Sequence, residues 1–209
     1  MCRCGKYIVF TYGNIEGRPL YSQDAVPVHC ALEWHHTDKP VRRPPKETHV
    51  THALTDLANQ VSQTLGAKKL MLATAESCTG GGIAQALTDI PGSSDWFERG
   101  FVTYSNTAKN DMLDVSDAVI AQFGAVSEEV AAAMALGAVA NSSADVTVST
   151  TGIAGPTGAV PGKPIGTVCF GWAQGDRVQT ERLVFQGDRQ AVRAQAVAHA
   201  LRGLLRFVE

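Results

Sequence analysis

Apolar residues recur every three or four positions between residues 54 and 65, and Gly66 ends the run. This spacing predicts an amphipathic first helix. The apolar stretch 69–75 then predicts a buried strand, and the stretch 83–90 predicts a second helix that Pro91 stops. A regular alternation of helix and strand therefore begins at about residue 51.

The alternation continues to the C-terminus. Ser127 precedes Glu128 and Glu129, as expected where a helix begins, and Asp188 is predicted to cap a long final amphipathic helix. The other predicted elements are strand 101–104, a short helix capped by Asn106, helix 117–123, strand 145–150, and a hairpin of strands 166–172 and 178–184 that turns at 174–176.

Strands and helices alternate first and a hairpin follows, so the sequence predicts an α/β fold. We expect a three-layer α/β/α sandwich whose mixed, mostly parallel sheet is closed by the C-terminal hairpin and helix. In such a fold the loops that follow parallel strands meet at one edge of the sheet, and ligands bind there.

Residues 1–49 differ from the rest of the chain. They hold five of the nine prolines and four of the six histidines, and no sustained helical or alternating pattern runs through them. The segment 37–46 is typical of an extended linker. We therefore interpret 1–49 as a poorly structured N-terminal extension, or as a stretch upstream of the true start codon, and 50–209 as the folded domain.

A zinc site in the N-terminal extension is an alternative that the sequence does not favour. Its first two cysteines are spaced Cys-x-Cys, whereas zinc knuckles usually have Cys-x2-Cys. The residues that such a site would draw on are Cys2, Cys4, His29, Cys30, His35 and His36.

Composition narrows the class of partner. The chain has 209 residues, 44% of them hydrophobic, and a formal net charge of −2. This charge gives no reason to expect a nucleic-acid partner, and no apolar run approaches the ~20 residues of a membrane span. Five cysteines are an odd number in a chain of this size, which favours free thiols in a reducing cytoplasm.

Candidate chemistry is concentrated at one glycine-rich junction. Ser77 and Cys78 follow the predicted strand 69–75, and three glycines at 80–82 lead into the second helix. The free N–H groups at the start of a helix can hold an anion or an oxyanion. The same glycines could also serve only to make a tight turn.

A serine hydroxyl needs a base to become a nucleophile, and no histidine lies near the predicted loops. Lys109 is predicted in the first turn of a helix, where the helix dipole disfavours a cation, and Tyr104 could relay the proton. If the strand ends lie together, Ser77, Tyr104 and Lys109 converge. Spacing alone favours a different interpretation, in which the lysine lies on the surface and the tyrosine in the core.

Neighbouring residues leave further alternatives. Cys78 competes with Ser77 as the nucleophile, because a thiol at a helix N-terminus has a depressed pKa. Glu76 could orient Lys109 or simply cap a backbone donor. Arg189 and Arg193 could reach a phosphate, but we interpret them as part of a solvated helix face.

Six motifs resemble the signature of the CinA C-terminal domain family. They occur in the family's order and cover about residues 51–207, and this order makes the resemblance specific. The motifs lie at 74–81, 97–106, 124–128, 152–156, 163–168 and 187–189.

The resemblance implies the activity of the family's single-domain nicotinamide-nucleotide amidohydrolases, which need no metal or cofactor. The carboxamide of nicotinamide mononucleotide would be hydrolysed to nicotinate mononucleotide and ammonia, and the protein would form a homodimer. Ser77 would be the nucleophile, with Tyr104 and Lys109 as its activating pair. The residues expected to bind the substrate or the oxyanion are Cys78, Thr79, Gly80, Gly81, Gly152, Ala154 and Gly155.

A non-catalytic nucleotide-binding regulatory module is the alternative function. Such a module needs only the glycine-rich loops, to hold phosphate, so the presence of Ser77, Tyr104 and Lys109 favours an enzyme. If the first loop holds the carbonyl oxygen of the substrate, the phosphate needs another site. We assign it to the second glycine-rich loop, 152–158, which follows strand 145–150.

Overall fold

The computed structural model describes residues 49–209, with side chains from residue 53 onward. The interpretation of residues 1–49 as an extension, and the zinc alternative within it, therefore lie almost wholly outside the described residues. The helices are α1 (His49–Lys68), α2 (Gly82–Thr88), α3 (Asn106–Leu113), α4 (Asp117–Phe123), α5 (Glu128–Ala140) and α6 (Arg189–Val208). The strands are β1 (Leu72–Glu76), β2 (Phe97–Val102), β3 (Val146–Gly152), β4 (Thr167–Gln174) and β5 (Arg177–Val184), and a 3₁₀ turn spans Ser93–Asp95.

The five strands form one mixed sheet in the order β2-β1-β3-β4-β5. Strand β1 pairs in parallel with both β2 and β3, whereas β4 pairs antiparallel with β3 and with β5. The carboxyl ends of β2, β1 and β3 therefore lie side by side at one edge of the sheet, with β1 in the middle.

Helices cover both faces of the sheet, which confirms the predicted three-layer α/β/α sandwich. One core contains apolar residues of α1, α2 and α6, such as Val61, Leu87 and Leu201. The other contains residues of α3, α4 and α5, such as Leu113, Ile120 and Met134. The predicted hairpin is the β4–β5 pair, which closes the sheet on the antiparallel side.

Helix α5 approaches the sheet closely because its inner face consists of small residues. Its carbonyl oxygens accept hydrogen bonds from strand β3: Thr147 Oγ1 donates to Ala135 at 2.8 Å and Ser149 Oγ donates to Ala131 at 2.6 Å. These bonds satisfy two hydroxyls that are fully buried, and burial without a partner would be costly.

Several boundaries differ from the sequence prediction. Helix α1 continues through Gly66, which was predicted to end it, as far as Lys68. The side chain of Ser105, and not that of Asn106, caps α3 by accepting a hydrogen bond from the backbone N–H of Ala108 at 3.0 Å. Strand β2 begins at Phe97, four residues earlier than predicted. It is an edge strand whose first half carries the charged pair Glu98 and Arg99, so it lacks the apolar run that marks a buried strand.

Candidate active site

Ser77 lies where the central strand of the parallel region ends. Its backbone N–H donates to Thr150 O of β3 at 2.9 Å, and on the other side Thr103 N–H donates to the carbonyl of Glu76 at 2.8 Å. The strand ladder thus extends to the residues around the hydroxyl. Only 8% of Ser77 is exposed to solvent, so the hydroxyl is held in a sheltered place at the sheet edge.

Lys109 reaches Ser77 from helix α3. The lysine is 1% exposed. Its Nζ lies 3.2 Å from Ser77 Oγ and donates to the carbonyl of Thr103 at 2.9 Å. The two side chains are therefore in hydrogen-bond contact, although 32 positions separate them in the sequence.

Burial lowers the pKa of Lys109, because a charged ammonium loses its hydration there. Among residues 53–209 no carboxylate lies within ion-pair distance of Nζ to oppose this effect. The neutral amine keeps a lone pair, so it can accept the proton of the Ser77 hydroxyl. A surface lysine, which spacing alone favoured, is wrong for this position.

Cys78 does not have the reactive thiol that a helix N-terminus was expected to give. It is buried, and burial raises the pKa of its thiol to about 12. The thiol is therefore protonated at neutral pH, and a protonated thiol is a weak nucleophile. The depressed pKa expected from the sequence is wrong, since desolvation outweighs the nearby positive charges of Lys109 and Arg193.

Tyr104 is also placed differently from the core tyrosine that spacing favoured, because 60% of it is exposed. Its hydroxyl accepts a hydrogen bond from Arg189 Nη2 at 2.8 Å. No described hydrogen bond joins it to Ser77 or Lys109, although it lines the same cavity. The structure thus brings Ser77 and Lys109 together directly and leaves Tyr104 at the rim.

Arg189 and Arg193 were predicted to lie on a solvated helix face. Arg189 is exposed as predicted, whereas Arg193 is half-buried, and both make contacts far along the chain. Arg189 Nη1 donates to the carbonyl of Gly155 at 2.9 Å, so this arginine links α6 to the second glycine-rich loop. Arg193 donates to the carbonyl of Thr79. These contacts span 34 and 114 positions, and no spacing in the sequence signals them.

A cavity of about 200 Å³ lies in front of Ser77 and Lys109. Of the predicted binding residues, Cys78, Gly152 and Ala154 line it, whereas Thr79, Gly80, Gly81 and Gly155 do not. The remaining lining residues are Tyr104, Asn106, Ala125, Val126, Thr151 and Arg189.

The segment 77–82, called the nucleophile loop below, leads into helix α2, and the start of that helix is bonded to Glu76. The buried carboxylate of Glu76 accepts hydrogen bonds from the backbone N–H groups of Ile83 and Ala84 at 3.0 and 2.8 Å. Glu76 therefore caps α2 and does not orient Lys109. Because these two helix donors are already bonded, they are not available to hold a substrate phosphate.

Gly152 is required by a close approach of two chain segments. A Cβ atom added to it would lie 2.7 Å from the carbonyl oxygen of Thr167 and 3.0 Å from Cys78 Sγ. Any side chain here would push β4 or the nucleophile loop aside. The glycine thus keeps the wall of the cavity close to the segment that carries Ser77 and Cys78.

Within the described part of the chain, no cluster of three or more metal-ligating side chains occurs. The cysteines and histidines considered for zinc lie outside that part. None of the described helices is long and apolar enough to cross a membrane.

Comparisons with known proteins match most of the described part of the chain to one family. The model of the CinA C-terminal domain family matches residues 54–208. Nicotinamide-nucleotide amidohydrolase PncC of Pseudomonas putida is 52% identical over 154 residues, which cover 74% of this chain and 96% of that protein. PncC of Escherichia coli K12 is 54% identical over 153 residues, covering 72% of this chain and 92% of that protein.

Solved structures show the same fold. The crystal structure of competence/damage inducible protein CihA from Agrobacterium tumefaciens has a TM-score of 0.73 and 41% identity, and the match covers 75% of this chain and 96% of that one. The similarity spans the described domain from the first helix to the last.

Proposed function

This chain belongs to the CinA C-terminal domain family, and from that premise we propose that it is a nicotinamide-nucleotide amidohydrolase. Its relatives in Pseudomonas putida and Escherichia coli carry that name. The reaction converts nicotinamide mononucleotide and water into nicotinate mononucleotide and ammonia. Ser77 is the nucleophile and Lys109 its base.

The contact between Ser77 Oγ and Lys109 Nζ, 3.2 Å long and almost closed to water, carries this proposal. A nucleophile within hydrogen-bond distance of a base is the arrangement that covalent catalysis needs. Burial lowers the pKa of Lys109 and so favours the neutral amine, which is the form that acts as a base. A module that only binds nucleotides has no use for this pair.

The first half of the reaction forms an acyl-enzyme. Lys109 Nζ takes the proton of Ser77, and Oγ attacks the carboxamide carbon of the substrate. The carbonyl electrons move onto oxygen, and the resulting oxyanion is held by backbone N–H groups of the nucleophile loop. Each such donor stabilises the transition state by about 3 kcal/mol. As the oxyanion collapses, the Lys109 ammonium gives its proton to the departing nitrogen, and ammonia leaves.

The second half repeats these steps with water as the nucleophile. Neutral Lys109 takes a proton from water, and the hydroxide attacks the ester carbon that Ser77 carries. The ester bond breaks, the proton returns to Oγ, and the carboxylic acid product ionises as it leaves. Direct proton transfer between Lys109 and Ser77 suffices for both halves of the reaction. Tyr104 can then orient the substrate at the rim of the cavity.

Arg189 is the group best suited to the substrate phosphate. It lines the cavity and is fixed between the hydroxyl of Tyr104 and the carbonyl of Gly155. Its contact with Gly155 places the guanidinium beside the loop 152–158 to which the phosphate was assigned. A volume of about 200 Å³ is below the ~300–1,000 Å³ of sites that enclose a whole ligand, which suits a buried nicotinamide ring and a phosphate outside.

Ammonia release from nicotinamide mononucleotide tests the proposal. Ser77→Ala should lower kcat by at least about 10⁴-fold, because the nucleophile is lost. Its melting temperature should stay near that of the wild type. Ser143→Ala is the matched control, because this serine is exposed and does not line the cavity.

Cys78→Ala distinguishes the two candidate nucleophiles. It removes the thiol and keeps the backbone N–H, so activity should fall far less than in Ser77→Ala. Full activity in Ser77→Ala together with loss of activity in Cys78→Ala would overturn the assignment. Tight binding of the nucleotide by the wild type with no ammonia released would instead favour the non-catalytic module.

A further inference from the structure

We propose that Arg193 is a positioning residue that aligns and polarises the backbone N–H of Cys78 as an oxyanion donor. The inference rests on the proposed amidohydrolase function and adds a residue from the last helix to it. Arg193 does not line the cavity in front of Ser77, so it acts through the nucleophile loop and not on substrate.

The first link is the contact between α6 and the nucleophile loop. Arg193 Nη2 donates to the carbonyl oxygen of Thr79 at 2.8 Å. The helix lies close along this loop: a Cβ atom added to Gly80 would be 3.4 Å from Arg193 Nη2, and one added to Gly82 would be 3.1 Å from Val197. The guanidinium is thus directed at one carbonyl of the loop.

The second link is a pair of peptide groups. The carbonyl of Thr79 and the N–H of Gly80 belong to one peptide, and in a trans peptide they point in opposite directions. The N–H of Gly80 donates to the carbonyl of Ser77 at 3.0 Å. That carbonyl shares its own peptide with the N–H of Cys78. One guanidinium therefore fixes two successive peptide planes that end at Cys78 N–H.

The third link is the last group in this chain of bonds. In residues 49–209 the Cys78 N–H donates to no carbonyl oxygen and interacts with the thiol of its own residue, and Cys78 lines the cavity directly after the nucleophile. Hydrogen bonds in series polarise one another, so the positive charge of Arg193 strengthens the last donor. A donor that is fixed before the reaction stabilises the developing oxyanion most effectively.

The charge of Arg193 is not used elsewhere in the described structure. No carboxylate of the described residues lies within ion-pair distance of it, and its Nε is buried without a hydrogen-bond partner. A side chain kept only for stability would be expected to satisfy that donor. Among the described residues, the hydrogen bond that this orientation of the guanidinium allows is the one to the carbonyl of Thr79.

Steady-state ammonia release with nicotinamide mononucleotide, measured on the full chain, tests this role. Arg193→Ala should lower kcat about 10- to 100-fold, which is less than the loss of an oxyanion donor itself would cost, with little change in KM. Arg193→Lys, which keeps the charge, should recover part of the loss. Arg202→Ala is the matched control, because Arg202 lies exposed on the same helix.

Chemical rescue separates positioning from a merely structural role. A cavity of about 230 Å³ adjoins Arg193 and is also lined by Gln85, Gln190 and Val197, so a small cation can enter once the side chain is removed. Millimolar guanidinium should raise kcat of Arg193→Ala, whereas uncharged urea should not.

An Arg193→Ala enzyme with kcat within about twofold of wild type would overturn the inference. A loss of kcat that is accompanied by a lowered melting temperature, and that guanidinium does not restore, would also overturn the inference. A wild-type chain that releases no ammonia would overturn the proposed function as well, so the two failures are distinguishable.

Discussion

At the scale of single residues, Lys109 makes both activity and stability depend on pH. Burial lowers its pKa in the folded protein, and in the unfolded chain the pKa returns to its ordinary value of about 10.5. Between these two values the unfolded chain binds more protons than the folded one. The free energy of unfolding therefore rises with pH across that window.

Lys109→Met tests this linkage. The variant should lose ammonia release, and its stability should lack the pH-dependent contribution of the amine. The melting temperature of the variant minus that of the wild type should therefore fall as the pH rises from neutral toward 10. A difference that grows with pH would mean that the fold stabilises the charged lysine. The acid limb of kcat/KM in the wild type should follow the same titration.

The sequence predicts which residues matter better than it predicts how they are placed. Ser77 and Lys109 were both named as candidates, yet the burial of Lys109 and Tyr104 came out opposite to what spacing favoured. Burial of one helical residue depends on the angle at which α3 leaves the sheet, and no local pattern encodes that angle. The contacts of Arg189 and Arg193 were not predicted for the same reason, since their partners lie far away in the chain.

At the scale of elements, the fit of α6 against β4 depends on one glycine. A Cβ atom added to Gly203 would lie 2.0 Å from Cζ2 of Trp172, whose Nε1 donates to the carbonyl of Ala200 at 3.0 Å. Gly203→Ala should therefore lower the free energy of unfolding by about 1–3 kcal/mol through overpacking. The shift of the midpoint of urea unfolding measures this loss of stability.

Gly66→Ala is the control for this prediction. Gly66 lies in helix α1 with no atom within 4 Å of an added Cβ, so alanine should be neutral or stabilising there by up to about 1 kcal/mol. Equal midpoint shifts in the two variants would show that helix propensity, and not contact with Trp172, decides the outcome.

Elements with strong local signals were predicted well. Ser127 and Asp188 cap their helices as expected, and both accept a hydrogen bond from the N–H three residues on. The start of β2 was missed because edge strands tolerate charges on their exposed positions. The cap of α3 was displaced by one residue, from Asn106 to Ser105, since both residue types are good caps.

At the scale of the whole molecule, the domain that begins near residue 49 should be sufficient for activity. The matched region makes up 96% of the Pseudomonas putida relative, and Ser77 and Lys109 both lie within it. A chain that starts at Pro44 should release ammonia with a kcat within about twofold of the full chain. A folded but inactive short chain would show that residues before Pro44 take part in the site.

The order of these residues along the chain has a consequence for folding. The contact of Lys109 with Ser77 closes a loop of 32 positions, whereas Arg189 meets Tyr104 across 85 and Arg193 meets Thr79 across 114. Closing the longest loop costs about 1 kcal/mol more chain entropy than closing the shortest. Ser77 and Lys109 can therefore meet early during synthesis, while the two arginines arrive only with α6. If these residues have the proposed roles, a nascent chain would carry the nucleophile and its base without Arg189 at the substrate and without Arg193 behind the nucleophile loop, and would stay inactive until α6 is made.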